Sequence, residues 1–150
     1  MKGNRLSHTA TPALVALVAL VALAALPAAA WSADLELKVE NVREPVGDLR
    51  VGVYASADEY RKTAVKEIKT PAAGNPVAIR IPGLAAGDYA IAIYHDRNAN
   101  QKLDSNMLGI PKEPYGFSGT SRSLTGPATW EQARFSLPAE GGAVTIQLSD

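Results

Sequence analysis

The sequence predicts an all-β fold: an antiparallel two-sheet sandwich of about seven strands, with one long end loop and one short helical turn. Apolar and polar residues alternate with a period of two along most of the chain beyond residue 31, which is typical of half-buried strands. Turn-forming Gly, Pro, Asn and Asp separate most of these segments, and none carries a helix-length apolar stripe. Short strands with that spacing indicate a sandwich or a barrel.

The strands follow from the alternation in chain order. In the first, Leu35, Leu37 and Val39 share one face and charged residues occupy the other. The strongest places Tyr89 and Ile91 on one face, with small residues between them. The predicted strands are 35–39, 49–53, 65–68, 77–81, 89–94, 133–137 and 144–148.

Two segments lack this alternation. Ser56 and Glu59 have the spacing of a capping box, which predicts one short helical turn through Tyr60. Residues 96–130 are rich in Gly, Pro, Ser and Asn and show no periodicity. A loop this long in a small domain is usually functional. Its apolar residues, Leu108 and Ile110 among them, lead us to expect that it folds back over one end of the sandwich.

The first 30 residues predict a secretory signal peptide. Lys2 and Arg5 precede an apolar stretch at 13–26, Pro27 ends it, and three small residues through Ala30 suit a peptidase. A membrane-spanning helix needs about 20 strongly apolar residues, more than this stretch supplies. We therefore expect cleavage after Ala30, no stable membrane anchor afterwards, and a protein that is periplasmic or secreted.

Residues 31–150 are expected to form a single β-sandwich domain. Cleavage removes Lys2 and Arg5, which leaves 13 of the 15 basic residues against 15 acidic ones, a net charge of −2. This balance argues against a nucleic-acid partner, which requires a clustered basic surface. The chain has no cysteine, which removes thiol nucleophiles, redox pairs and Cys-type zinc sites. A domain of about 120 residues buries enough surface to fold without disulfides.

Residues 96–104 have the spacing of a calcium loop. Asp96, Asn98, Asn100 and Asp104 place side-chain oxygens at loop positions 1, 3, 5 and 9, and Lys102 places a backbone carbonyl at position 7. Calcium takes such oxygen ligands, and two carboxylates among them predict weak affinity, about 0.1–1 mM. The sequence therefore predicts a weak calcium site, and otherwise no cofactor.

The same residues have a second interpretation. Asp and Asn side chains stabilise tight turns by hydrogen-bonding backbone amides two residues on, with no ion. Position 12 of the loop is Met107, where a calcium loop has a bidentate Glu. Glu113 or a water would have to complete the shell. Both interpretations stay open at this point.

The aromatic residues beside this segment form a second candidate site. Tyr94, His95, Glu113, Tyr115 and Phe117 are predicted to belong to a loop that binds a ligand or a partner. The alternative is that the aromatic rings seal the open end of the sandwich. After cleavage, His95 is the last remaining histidine, and it is either a general base or a strand-end residue that hydrogen-bonds the loop.

Two stretches carry a resemblance to known families. Residues 81–96, IPGLAAGDYAIAIYHD, look like a strand–turn–strand of prealbumin-like and carboxypeptidase-regulatory-like β-sandwiches. Residues 94–118, YHDRNANQKLDSNMLGIPKEPYGFS, resemble an exported bacterial family catalogued as domain of unknown function 2141. The resemblance extends from residue 35 to 148 and implies an exported immunoglobulin-like or prealbumin-like sandwich. It implies no activity.

The chain departs from that family pattern inside the loop. The family usually has Gly where this sequence has Ala99 and Gln101. Position 6 of a calcium loop favours Gly because the chain turns sharply there. Gln101 must therefore take a costly positive φ or let the loop relax.

These features predict an exported, non-catalytic module that binds a protein or an envelope component through the long loop. The alternatives are a hydrolase of envelope polymers that uses His95 and the loop carboxylates, and a small-ligand carrier that uses the aromatic rings. No nucleophile is placed by a recognisable motif such as G-x-S-x-G, so the binding module is the first hypothesis.

Overall fold

The computed structural model describes residues 32–119 and 126–149. Its elements are β1 Ser32–Glu40, β2 Asp48–Tyr54, β3 Lys66–Pro71, β4 Val77–Ala85, β5 Gly87–Asp96, β6 Tyr115–Phe117, α1 Trp130–Ala133, β7 Phe135–Leu137 and β8 Gly142–Gln147. In these ranges no helix is long and apolar enough to cross a membrane. The predicted signal peptide lies outside the described residues.

The strands form two sheets, as the alternation predicts. One sheet has the order β4-β1-β8, and the other has the order β3-β2-β5-β6 with β7 also paired to β5. The predicted all-β sandwich is confirmed. One pair departs from the antiparallel arrangement, because β1 and β8 run parallel, with Leu35 opposite Gly142 and Glu40 opposite Gln147. A tight hairpin would force antiparallel pairing, but β8 arrives from the other sheet after β7, so no hairpin fixes its direction.

The core lies between the sheets and is made by one face of each strand. Leu35 and Ile81 are fully buried opposite each other in one sheet, and Val51 lies opposite Ile93 in the other. The core cluster contains Leu, Ile, Val and Ala with one ring, that of Tyr89. Because successive side chains of a strand point to opposite faces, the neighbours of these core residues face outward.

Two local predictions differ from the structure. Residues 56–60 form turns rather than a helix, although the Glu59 N–H does donate to Ser56 Oγ at 3.4 Å. Ala133 ends helix α1 instead of starting a strand. The turn of α1 begins at Thr129, whose N–H donates to Gln132 Oε1 at 2.9 Å, so the local capping pattern competes with the alternation.

The long segment after β5 contains a strand that the alternation did not reveal. Strand β6 pairs with β5, with Tyr94 opposite Tyr115 and Ala92 opposite Phe117. A Cβ on Gly116 would lie 2.6 Å from Cγ2 of Ile146, so glycine permits the close approach of β6 to β8. The long loop is therefore residues 97–114, and it is anchored at both ends by the five-stranded sheet.

Candidate functional site

The outer face of the five-stranded sheet carries two neighbouring rows of side chains. In one row, Arg50 lies between Lys69 and Tyr94. In the next row, Gly52 lies opposite Ala92. Glu67 and Phe117 stand at the two ends of this second row, so the small residues at its centre leave a hollow in the sheet surface.

This hollow is a groove of about 1200 Å³ between the sheet and the long loop. Gly52 and Ala92 form its floor, and Leu103 and Ile110 of the loop contribute to the opposite wall. Its other lining residues include Arg50, Tyr54, Arg61, Glu67, Lys69, Tyr94, Gln101, Tyr115 and Phe117. A concave, mixed apolar and polar surface on a rigid sheet is the usual form of a ligand site.

Aromatic rings lie along one end of the groove. A Cβ on Gly52 would lie 2.6 Å from the hydroxyl oxygen of Tyr54, so the Tyr54 ring lies across that glycine. The ring centroids of Tyr54 and Tyr60 are 5.4 Å apart, and those of Tyr60 and Trp130 are 5.9 Å apart, both edge to face. This geometry is favourable for aromatic pairs, so this end of the groove is held by ring packing.

Burial raises the pKa of the tyrosines around the groove. It raises the pKa of Tyr60 to about 12 and shifts that of Tyr54 upward. The pKa of Tyr94 is also raised, first by burial and then by the Asp96 carboxylate. Of these, Tyr54 and Tyr94 line the groove, and their protonated hydroxyls can donate hydrogen bonds to a ligand at neutral pH, whereas the Tyr60 hydroxyl is buried behind the groove.

The cations of the groove face acids at the sheet end. Arg50 Nε lies 3.3 Å from Asp96 Oδ2, and Lys69 Nζ lies 3.0 Å from Asp48 Oδ2. Charge at this end of the groove is therefore balanced, and the site does not carry a strong field of one sign.

Two buried carboxylates organise the start and end of the long loop. Asp96 is 0 % exposed, and its carboxylate accepts the backbone N–H groups of Asn100 at 3.0 Å and Gln101 at 2.9 Å. Glu113 is 5 % exposed and accepts the backbone N–H groups of Arg97 at 2.9 Å and Asp104 at 3.0 Å. We call residues 96–104 together with Glu113 the loop base.

The predicted calcium ligands lie together in the loop base. Asp104 accepts hydrogen bonds from the side-chain amides of Asn98 at 2.6 Å and Asn100 at 3.0 Å. The Asn100 side-chain oxygen accepts the Lys102 N–H at 2.8 Å. Among the described residues, no group of three or more His, Cys, Asp or Glu side chains could hold a metal, so any ion here would depend on the asparagine oxygens and backbone carbonyls.

At the two positions that depart from the family pattern, Ala99 and Gln101, the backbone has a positive φ angle. Ala99 has φ 57° and Gln101 has φ 69°. Both are in the left-handed region, where a side chain costs energy that glycine avoids. Of the two alternatives predicted for Gln101, the chain takes the positive φ.

The structure divides the predicted partner-binding residues into two groups. Tyr94, Tyr115 and Phe117 lie together at the groove, where the rings of Tyr115 and Phe117 are 5.8 Å apart. His95 is 1 % exposed, and its Nε2 lies 2.6 Å from the Val46 carbonyl oxygen. Glu113 belongs to the loop base, so neither His95 nor Glu113 lines the groove.

The far end of the loop is apolar and exposed. Met107 is 103 % exposed, Leu108 83 % and Ile110 56 %. The expectation that the apolar residues of this segment fold back over the sandwich is therefore wrong for Leu108, whereas Tyr115 and Phe117 do return to the sheet in β6. We call residues 106–110 the loop tip.

The sequence analysis missed several groove residues. Arg50, Gly52, Tyr54 and Ala92 lie on strands that were predicted, but only their core faces were interpreted. A signal was available, because several outward positions of β2 and β5 carry small or aromatic residues, such as Gly52, Ala92 and Tyr94, where a solvated face usually carries polar ones.

Comparison with known proteins gives one match. Residues 37–147 match a family model described as an uncharacterized protein conserved in bacteria, DUF2141. No curated protein and no solved structure matches the chain significantly. The chain's own geometry therefore has to carry any statement about its function.

Proposed function

Since the chain belongs to the DUF2141 family of bacterial proteins, we propose that it is an exported, non-catalytic binding module. Its ligand is a protein or envelope component held in the groove between the five-stranded sheet and the loop. The observation that carries the proposal is the groove itself, about 1200 Å³ in volume, with a floor of Gly52 and Ala92.

The chemistry of the groove supports binding. Ala92 at the floor gives a ligand access to the sheet surface, while the Tyr54 ring across Gly52 and rings such as Tyr94 and Phe117 offer flat apolar contacts. Tyrosine hydroxyls and the Arg50 guanidinium supply a few directed hydrogen bonds. Apolar walls with a few polar groups are the usual lining of a site that holds a ligand.

The placement of the titratable groups argues against the hydrolase alternative. A general base must reach the proton that it removes. His95 is buried and faces the Val46 carbonyl, whereas Asp96 and Glu113 are occupied by backbone amides. The small-ligand carrier would use the same groove, so the size of the bound molecule decides between it and the partner-binding module.

Export is the second part of the proposal. It is supported by the order of basic residues, apolar stretch and small residues through Ala30. Mass spectrometry of the protein from fractionated cells tests it. We expect a periplasmic or secreted chain that starts at Trp31, and an intact N-terminus in the cytoplasm would contradict export.

Photo-cross-linking in living cells tests the groove. A benzoylphenylalanine replaces Leu103 on the groove wall, and Glu36, an exposed residue on the other sheet, takes the same label as the matched control. We expect an adduct of defined mass at position 103 and none at 36. Filling the floor with Ala92→Phe should abolish that adduct in a protein that still folds. Equal labelling at both positions, or an adduct that survives Ala92→Phe, would refute the groove as the binding site.

Weak calcium binding in the loop base is a second proposal. It is supported by the convergence of Asn98, Asn100 and Asp104 within hydrogen-bond distance, because rotation of the two amides would present oxygens to a cation. Arg50 beside Asp96 lowers the expected affinity. We expect calcium at about twice its dissociation constant to add about 0.6 kcal/mol to the free energy of unfolding. Identical melting curves in chelator and in millimolar calcium would exclude the ion.

A further inference from the structure

We propose that the loop tip docks into the headgroup region of an anionic lipid surface. The tip presents Met107, Leu108 and Ile110 to solvent with exposures of 103 %, 83 % and 56 %. Large apolar side chains that cluster on an exposed surface usually mark an interaction site. Ile110 also lines the groove, so the docking is tested first at Met107, which does not line it.

The backbone of the tip is prepared for an apolar environment. The Asn106 side-chain oxygen accepts the N–H groups of Leu108 at 2.9 Å and Ile110 at 3.0 Å. The Asn106 N–H donates to the Ile110 carbonyl at 2.8 Å, and the Asn106 carbonyl accepts the Gly109 N–H at 2.9 Å. Exposed amides are costly to bring into hydrocarbon unless they are already bonded, so these four bonded N–H groups lower the cost of moving the tip out of water.

The shape of the tip is also fixed in advance. Ser105 and Pro111 form an antiparallel bridge at its neck. Gly109 turns the chain with φ 77° and has no neighbouring atom within 4 Å of a built Cβ. A preformed tip loses little conformational freedom on docking.

The charges around the tip select an anionic surface. Lys102 and Lys112 flank the tip and are exposed. Of the nearby carboxylates, Glu113 is buried and Asp104 is half-buried, so the exposed charges that flank the tip are the two lysines. Apolar side chains flanked by lysines are the pattern by which surface segments bind anionic membranes.

An environment-sensitive label tests the docking. The chain has no cysteine, so Met107→Cys takes a single nitrobenzoxadiazole label at the tip. Val65→Cys is the matched control, because Val65 is also an exposed apolar residue, at 56 %. The protein is purified as the cells produce it. Mass spectrometry of its N-terminus then shows whether the apolar leader, residues 1–30, is still attached. Vesicles contain either an equal mixture of phosphatidylglycerol and phosphatidylcholine, or phosphatidylcholine alone.

We expect a blue-shifted, brighter emission from position 107 with the mixed vesicles, little change with phosphatidylcholine alone, and no change at position 65. Replacing both Lys102 and Lys112 by Gln should weaken binding on the order of 30-fold. Replacing both Leu108 and Ile110 by Ser should weaken it about 100-fold.

Two results would overturn the proposal. One is an unchanged emission at position 107 with the mixed vesicles. If the tip then cross-links to a protein in cells, the tip binds an apolar pocket of that protein instead of a lipid surface. The other is an equal response at positions 107 and 65, which would assign vesicle binding to another part of the chain.

Discussion

The loop base and the loop tip belong to one loop and reverse the usual distribution of residue types. In the base, the carboxylates of Asp96 and Glu113 are 0 % and 5 % exposed. In the tip, Met107 and Leu108 are open to solvent. Charged residues are seldom fully buried unless they are paired, and large apolar residues are seldom exposed in a cluster. Both departures therefore indicate a specific role for the residues concerned.

The difference shows how a long loop can be ordered without a hydrophobic core of its own. The base is held by charge-assisted hydrogen bonds from carboxylates to backbone amides, which are stronger than bonds between neutral groups. Apolar side chains are then not needed for the stability of the loop and are available for contacts outside the molecule.

The largest loss of stability is expected from Asp96→Ala, in the loop base. The substitution leaves the Asn100 and Gln101 amides and the Arg50 guanidinium without their carboxylate. We expect the free energy of unfolding to fall by about 3–5 kcal/mol, as when one partner of a buried pair is removed. Urea denaturation measures the change.

Asp104→Ala is the control for that experiment. The Asp104 carboxylate is more exposed and accepts side-chain amides rather than backbone ones, so its loss should cost less than about 1 kcal/mol. Equal losses for the two variants would contradict the assigned role of Asp96.

The second test uses a buried polar group outside the loop. Among the described residues, the Tyr60 hydroxyl has no hydrogen-bond partner, and burial raises the pKa of Tyr60 from 10.0 to about 12. The folded state therefore keeps its proton where the unfolded chain loses it. This stability is fully present below pH 10 and is lost as the pH rises towards 12.

With a discount for partial solvent exposure, the loss is about 1–2 kcal/mol. Unfolding in urea across this pH range measures it, and Tyr60→Phe should show a shallower decline than the natural chain. An unchanged slope in Tyr60→Phe would contradict the assignment.

A smaller effect is expected from relief of backbone strain in the loop base. Gln101 has φ 69°, and glycine adopts that conformation without a Cβ penalty. Gln101→Gly should raise the free energy of unfolding by about 0.5–1 kcal/mol. Lys102→Gly, where φ is not positive, serves as control and should not stabilise. A less stable Gln101→Gly protein would show that the Gln101 side chain contributes to the base.

The smallest effect on stability is expected at the tip. Met107→Ser and Leu108→Ser remove side chains that are open to solvent, so each should change the free energy of unfolding by less than about 0.5 kcal/mol. Thermal melting measures this. A loss of about 2 kcal/mol would show that the tip packs against the domain in solution.

The alternation of apolar and polar residues predicted the sandwich because it shows, within each strand, which side chains are buried. Leu35, Leu37 and Val39 are all buried, as their spacing predicts. Strand β6 escaped prediction because a Tyr-Gly-Phe segment is too short to show a period. The parallel β1–β8 pair also escaped, because periodicity carries no information on strand direction.

The loop was less predictable for a different reason. The spacing of Asp96, Asn98 and Asn100 located the polar cluster, since turn chemistry is local in sequence. Glu113 completes the base from far along the chain, and no local pattern connects it to the Arg97 and Asp104 amides. The tip was misjudged because apolar residues are more often buried than exposed.

The central claim is that the loop base is ordered by its own carboxylate–amide hydrogen bonds. Amide hydrogen exchange followed by NMR in the presence of a chelator tests it most directly. We predict that the Gln101 and Asp104 amides exchange at least about 100-fold more slowly than in an unstructured chain. Exchange at the unstructured rate in chelator, slowed only when calcium is added, would contradict the claim.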